Sequence, residues 1–425
     1  MVKIQTPAAV LGSLLVLTLP PLSCSPQPPS ATSAPPSGLG LDGTYLEAVR
    51  ARIEGGDRTL ESAVQSLRRD AEKALALAPM SVMDKAVVPP SGDKHDYMSQ
   101  APYWWPDTSK PGGRPYIRRD GDRNPEIDGI TDHDNLGRLT GAVSTLGLAF
   151  FFTGRDDYAR HAARLVRTWF IDPATRMNPH LRYGQGIPGI NDGRGIGIIE
   201  TRGLPDLIDG VLLLKAGKVR LKPDATKTAV WTTDDEMGLQ AWMREYLLWL
   251  VESQHGKDES TNGNNHETWY DVQVASLALY TGQRDLARRT LEVSRERIAR
   301  HIEADGRQPR ELERTRSWDY SIFNLRAFFQ LAGLGERAGV DLWSHRTTDG
   351  RSLKVALDYL VPFAAGDRPW PHPQITTFRG GELDWLLRRA AVAWKDPQYR
   401  QVAERVGGGS PQLELVLGGH DPAGR

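Results

Sequence analysis

From residue 136 onward the chain alternates between runs with apolar residues three and four apart and short polar breaks. That spacing lays one face of an α-helix against a core. Residues 136–152 (LGRLTGAVSTLGLAFFF), 158–170, 237–251, 268–280, 287–302, 320–334, 353–363 and 383–394 each carry it, and each predicts a helix. Runs rich in Val, Ile and Thr that alternate with polar residues are scarce. The longest strand candidate, residues 195–200 (GIGIIE), is short and flanked by glycine.

The helical pattern repeats. Residues 148–160 (LAFFFTGRDDYAR) resemble 277–288 (LALYTGQRDLAR), and 391–399 (AVAWKDPQY) is a fainter echo. The unit reads as a helix, a Thr-Gly stop, an Asp start and a second helix, with Gly as C-terminal cap and Asp as N-cap. Helical hairpins in series pack as a solenoid or close into a ring. The length of this series predicts an all-α fold, an incomplete (α/α) toroid whose inner helix ends converge on a central cleft. Two long segments break the pattern. Residues 94–134 are rich in Pro, Gly, aromatics and charge, and residues 178–202 are rich in Gly. Loops of this length in a compact domain are usually functional, and these two are expected to wall the cleft.

The N-terminus changes the picture of where the protein works. Lys3 precedes an apolar stretch, residues 10–19 (VLGSLLVLTL), too short to span a bilayer. Cys24, the single cysteine of the chain, follows it. Residues 1–24 therefore read as a signal segment, either of an ordinary secreted protein or of a lipoprotein with its lipid on Cys24. Pro21 departs from the residue usual at that point of a lipoprotein signal. Both readings export the protein to the periplasm, the outer membrane or the medium. Residues 25–40 (SPQPPSATSAPPSGLG) form a Pro/Ser linker that packs no core, which leaves 41–425 as one folded domain. One cysteine excludes a disulfide framework.

Lys and Arg together number 53, and so do Asp and Glu, so the formal net charge is zero. No global field draws in a polyanion, and nucleic-acid binding gets no support. Attraction for an acidic ligand has to come from a local basic cleft. The first loop offers one: Tyr103, Trp104 and Trp105 precede Arg118, aromatics to stack on pyranose faces and a guanidinium to bind carboxylates. In the second loop His180, Tyr183, Gln185 and Arg202 are candidate wall residues. Its Gly193-x-Gly195-x-Gly197 is not a dinucleotide fingerprint, since no strand precedes it; glycine there lets backbone approach substrate or another loop. Metal sites are poor. His266-Glu267 lacks a second His one turn on, and Asp120-x-Asp122-x-Asn124 fails as a calcium loop at Pro125 and Thr131. No metal and no cofactor is expected.

Two polar clusters remain, each opening what reads as an amphipathic helix. One is Asn264-Asn265-His266 with Trp269; the other is Arg314 through Trp318 to Tyr320. A uronate glycoside breaks by β-elimination when the C5 proton is removed and the C4 oxygen expelled. The proton becomes removable once hydrogen bonds neutralise the adjacent carboxylate, on which enolate-like charge develops. Amide, imidazole and guanidinium groups do this, and a Tyr beside a cation can move the proton. The plain alternative for Asn264-Asn265 is a helix N-cap with a buried His. Hydrolysis would instead need two carboxylates across the cleft; Glu200, Glu267, Asp271, Glu311, Glu313 and Asp319 are available, and spacing singles out none.

The blocks Asn264-Asn265-His266-x-x-Trp269-Tyr270 and Glu311-Leu312-x-Arg314-Thr315-x-Ser317-Trp318-x-Tyr320-Ser321 resemble those of the alginate lyase family with an (α/α) toroid fold. Tyr103-Trp104-Trp105-Pro106-Asp107 and Tyr116-Ile117-Arg118-Arg119-Asp120-Gly121 resemble a block of its broader branch, which acts on alginate or glucuronan. The resemblance implies that Asn265 and His266 neutralise the substrate carboxylate, that Tyr320 is base and acid, and that Arg314 sits beside it. Asn264, Trp269, Tyr103, Trp104, Trp105, Arg118, His180, Tyr183, Gln185, Arg202 and Trp318 would bind the acidic polysaccharide. Ser321 stands where the better-known alginate lyases carry a His after the Tyr, which leaves mannuronate-rich alginate, glucuronan or another uronan as substrate. Two other readings compete: a glycoside hydrolase on the same toroid, and a non-catalytic polysaccharide-binding lipoprotein.

Overall fold

The helix expected over 136–152 runs from Asp132 to Thr153 in the computed structural model, which describes residues 38–220 and 230–417. It stops where Gly154 takes a left-handed φ of 67° and returns its N–H to the Phe150 carbonyl, the cap that Thr-Gly predicts. Two helices come before it, α1 (Gly43–Glu54) and α2 (Glu61–Leu75), so it is α3. After it come α4 (Asp156–Val166), α5 (Leu204–Arg220), α6 (Thr233–Glu252), the short α7 (Gln254–Glu259), α8 (Asn265–Tyr280) and α9 (Arg284–His301). The one-turn α10 (Pro309–Leu312) leads to α11 (Ser317–Ala338), then α12 (Leu353–Ala364), α13 (Asp384–Ala393), α14 (Pro397–Val406) and α15 (Leu413–Leu417). Every periodic run became a helix. The Asp residues of the repeat are not all caps. Asp156 and Asp285 sit inside the first turn, where they face the positive end of the helix dipole, and only Asp396 caps with its side chain, accepting from Gln398 N–H.

Inner and outer helices alternate. α3 packs on α4 and α5, α8 on α9 and α11, α11 on α12 and α13, and α13 on α14. α3, α5, α8, α11 and α13 thus form the inner wall of an incomplete (α/α) toroid. α3 and α5 touch backbone to backbone. A Cβ on Gly147 would lie 2.5 Å from the Gly210 carbonyl oxygen, and one on Gly210 would lie 2.6 Å from that of Val143. Any side chain at either position would push the two helices apart. α8 departs from the amphipathic expectation, with all but His266 and Leu279 of its residues buried, because inner and outer neighbours cover it on both sides.

The two loops are tied to each other. β1 (Met98–Gln100) pairs in parallel with β4 (Tyr183–Gly186), and β2 (Trp104–Trp105) pairs antiparallel with β3 (Ile117–Arg118). The strand candidate at 195–200 is instead a 3₁₀ helix over Gly195–Thr201. Its glycines serve close backbone approach: a Cβ on Gly197 would meet Gly184 of the same loop at 2.6 Å, and one on Gly195 would meet the His255 carbonyl oxygen of α7 at 2.5 Å.

The signal segment, Cys24 and the linker as far as residue 37 lie outside the described residues. The last linker residues belong to the folded body, which corrects the boundary at 41. The backbone N–H groups of Leu39 and Gly40 both donate to the buried carboxylate of Asp209 on α5.

Candidate active site

A cleft of about 690 Å³ opens at the inner helix ends, beneath the two loops. That volume suits a ligand of several hundred Å³. Asn264, Asn265 and His266 line it from the start of α8, and Arg314, Arg316, Asp319 and Tyr320 line it from the start of α11. The first loop contributes Tyr103, Trp104 and Arg118; the second contributes Gln185, Arg194, Glu200 and Arg202. Clusters separated by some fifty residues in sequence meet because α8 and α11 are neighbours in the inner ring.

Each group is held by specific partners. Asn264 is the N-cap of α8, its side-chain oxygen accepting from His266 N–H at 3.0 Å. The capping role anticipated for the tandem Asn is therefore real, and it leaves the next two side chains to the cleft. Asn265 gives its backbone N–H and its amide Nδ2 to the two oxygens of Glu311, at 2.7 and 2.8 Å. Its Oδ1 is buried without a partner. Burial pushes the Glu311 carboxyl up, against the two hydrogen bonds from Asn265. His266 Nδ1 lies 2.8 Å from Oε1 of Glu259, a fully buried carboxylate at the end of α7. Such an arrangement places the proton on Nδ1 and turns Nε2 outward.

Tyr320 sits on the first turn of α11. Its hydroxyl is 3.0 Å from the Tyr103 hydroxyl, and the Arg314 guanidinium carbon lies 3.7 Å from its ring centroid. Arg314 is fixed by Asp120, Nη2 to Oδ1 at 2.8 Å and Nε to Oδ2 at 3.1 Å. Asp120 lies at about 2, since Arg314 and its other partners outweigh the burial that raises it. Burial raises the Tyr320 phenol above its ordinary value; Arg314 opposes this, while Tyr103 and Asp120 add to it. The cation that a phenolate needs is present, and burial outweighs it.

Five residues expected to bind substrate do not line the cleft. Trp269 is 4% exposed and packs on Phe323 with ring centroids 5.0 Å apart. Trp318 is fully buried, its indole N–H donating to the Arg379 carbonyl and its ring set edge-on to Trp370. Both are core residues, as helices covered on both sides require. Trp105 donates its indole N–H to the Asp122 carbonyl and carries Arg119 over its ring, pinning the first loop. His180 pairs with Asp96 at 3.1 Å and packs against Trp249, and the Tyr183 ring lies edge-on to it.

The carboxylates divide in the same way. Glu267 and Asp271 turn away from the cleft to bind Arg297, and Glu267 also meets Arg300 and His301. Glu200 does line the cleft, accepting from Tyr97 and Ser99 with His133 at 3.6 Å. Glu259 and Arg194 were not singled out from sequence. Glu259 ends α7 and His266 lies on the first turn of α8, so the turn between the two helices, and not a period within one helix, sets their contact. Among the described residues no group of three or more His, Cys, Asp and Glu side chains gathers as a metal site.

Comparisons with known proteins bear on the fold and the family. A crystal structure of an alginate lyase from Bacteroides ovatus superposes with a TM-score of 0.83 at 38% identity, covering 90% of this chain and 99% of that one. Alginate lyase A1-III from Sphingomonas species A1 has the same fold at a TM-score of 0.54 and 17% identity, with 90% and 97% covered. A variant of alginate lyase A1-III complexed with a tetrasaccharide matches at 0.56 and 16%, with 93% and 98% covered. No curated protein matches significantly. The family model described as alginate lyase matches residues 81–370, which include both helix-opening clusters and both loops. With more than half its length matched by that model, the chain belongs to the alginate lyase family of polysaccharide lyases.

Proposed function

We propose that this protein is an exported lyase that cleaves a 1,4-linked polyuronate, either mannuronate-rich alginate or glucuronan, by β-elimination. The observation that carries this reading is the meeting of Tyr320, Arg314, Asn265 and His266 in one cleft from two separate helix ends. Asn265 and His266 bind the carboxylate of the unit to be cleaved and stabilise the enolate-like charge that builds on it. Tyr320 takes the C5 proton and returns a proton to the departing C4 oxygen, with Arg314 favouring its phenolate. Arg118, Arg202, Tyr103 and Trp104 hold the flanking sugars. Export rests on the N-terminal sequence alone, with Cys24 as the site of a lipid if one is attached.

A hydrolase reading loses Glu267 and Asp271 to their arginine partners. A binding-only reading leaves the Tyr320 and Arg314 pairing without a task. The test is incubation with polymannuronate, polyguluronate and glucuronan, followed by the ultraviolet absorbance of a C4=C5 unsaturated uronate. Absorbance on polymannuronate or glucuronan is expected. Reducing ends without that absorbance, or no product on any acidic polysaccharide, contradicts the proposal.

A further inference from the structure

Among the described residues six arginines line the cleft, and four of them are already matched to carboxylates. Arg118 and Arg314 share Asp120, Arg123 pairs with Asp128, and Arg316 pairs with Asp319. Arg194 and Arg202 have no carboxylate within ion-pair distance among the described residues. Arg202 lies at 5.7 Å over the Phe323 ring and donates to the Ile199 carbonyl. Arg194 is the more deliberately built of the two.

The Arg194 guanidinium is held on one side only. Nε donates to the Gln185 carbonyl at 3.1 Å and Nη2 to the Gln185 side-chain oxygen at 3.0 Å. Among the described residues no acceptor meets Nη1, and the guanidinium lies 6.0 Å from the Trp104 ring centroid. Gln185 has a φ of 50°, a left-handed conformation that a non-glycine residue adopts only when its surroundings enforce it. They do so here. Gln185 N–H donates to Ser99 Oγ at 2.8 Å, and Ser99 donates to the buried Glu200 at 2.6 Å. A strained residue anchored to a buried network thus presents one fork of a mostly buried cation to the cleft, with no counter-anion. Burial without that anion pushes Arg194 down to about 10. A buried charge kept without a partner is unfavourable, and the matching partner for a free guanidinium fork is a carboxylate.

We propose that Arg194, aimed by Gln185, binds the carboxylate of a second uronate unit, distinct from the unit whose proton Tyr320 removes. The proposal rests on the lyase reading and extends it. The unit being cleaved presents its carboxylate to Asn265 and His266 at the start of α8. Arg194 comes from the second loop, beside Trp104, where a neighbouring sugar would stack. Arg194 touches no proton in flight, and its contribution is to binding.

The test is steady-state kinetics of the wild type, Arg194→Ala, Arg194→Lys and Gln185→Gly on the uronan that the wild type cleaves. Arg194→Ala raises KM at least about tenfold, the loss expected for a charge-assisted hydrogen bond, with kcat within about twofold. Arg194→Lys keeps the charge and loses the fork, so it falls between. Gln185→Gly keeps the backbone angle, frees the Arg194 side chain and raises KM less than Arg194→Ala. If Arg194→Ala does not fold, the Lys and Gly variants carry the same KM prediction. An active wild type whose KM is unmoved by these variants, or whose kcat alone falls, overturns the subsite and leaves the lyase reading standing. A wild type that yields no unsaturated product from any uronan overturns both.

Discussion

The hydroxyl of Tyr320 lies 3.0 Å from that of Tyr103, a residue 217 positions earlier in the chain. The first loop therefore reaches the proposed proton-transfer group directly. The hydrogen bond and partial charge of Tyr103 add to the burial that raises the Tyr320 phenol. In Tyr103→Phe those two contributions vanish and the phenol titrates at lower pH. The kcat/KM profile of that variant is expected to reach its alkaline plateau earlier than the wild type, with turnover retained. A profile that coincides with the wild type separates Tyr103 from the proton step.

Arg314 acts in the opposite sense. Its guanidinium lies against the Tyr320 ring and favours the phenolate. A base whose folded pKa is raised is mostly protonated at neutral pH, so kcat/KM should climb with pH through the neutral range. Arg314→Gln raises the phenol further. At any fixed pH its rate falls, by roughly 10²-fold or more if about 3 kcal/mol of charge stabilisation is lost, and its profile shifts to higher pH. A uniform loss with an unshifted profile assigns Arg314 to substrate binding instead.

Glu259 and Glu311 act through the residues they hold. Glu259→Gln removes the charge opposite His266 Nδ1, and Glu311→Ala releases Asn265. Each is expected to lower kcat by roughly 10 to 100-fold, as groups that orient a functional side chain do. Glu311→Gln keeps the shape of the side chain and an oxygen for the Asn265 N–H groups while removing the charge. Glu311→Gln then keeps activity within about tenfold of wild type, and a loss equal to that of Glu311→Ala would show that Glu311 works as an anion.

Glu267 belongs to the framework. Burial raises its carboxyl, but the hydrogen bond from His301 and the charge of Arg297 bring it down from 4.5 to about 2. A carboxyl lowered on folding contributes stability that is present above the unfolded value and lost as pH falls from about 4.5 towards 2. Glu267→Gln leaves buried cations underpaired and is expected to lose roughly 3–5 kcal/mol. Its melting temperature should start lower and vary less with pH across that acid window than the wild type. Equal melting curves would remove Glu267 from the framework.

Much of the ring was legible because helix periodicity and Thr-Gly stops are local signals, and all eight periodic runs are helices. The cluster at 264–266 was legible for the same reason: a cap residue marks a helix start, and a helix start lies at the end of an inner wall. The tryptophans misled. Trp269 and Trp318 lie on helices buried on several sides, where a 3.6-residue period cannot separate the cleft face from the core. His180 turns onto Trp249 and Asp96, contacts from sequence-distant segments, and Tyr183 lies edge-on to His180. Glu259 and Arg194 gain their roles only from the fold, one from α7 abutting α8 and the other from the left-handed turn at Gln185.

The central claim is that the phenol at 320 moves the proton in the cleft that binds the polymer. Its most direct test compares wild type and Tyr320→Phe on the same uronan, reading unsaturated product by ultraviolet absorbance and polymer affinity by calorimetry. The account predicts that Tyr320→Phe binds the polymer as the wild type does and forms almost no product. Near-full product formation by Tyr320→Phe would contradict it.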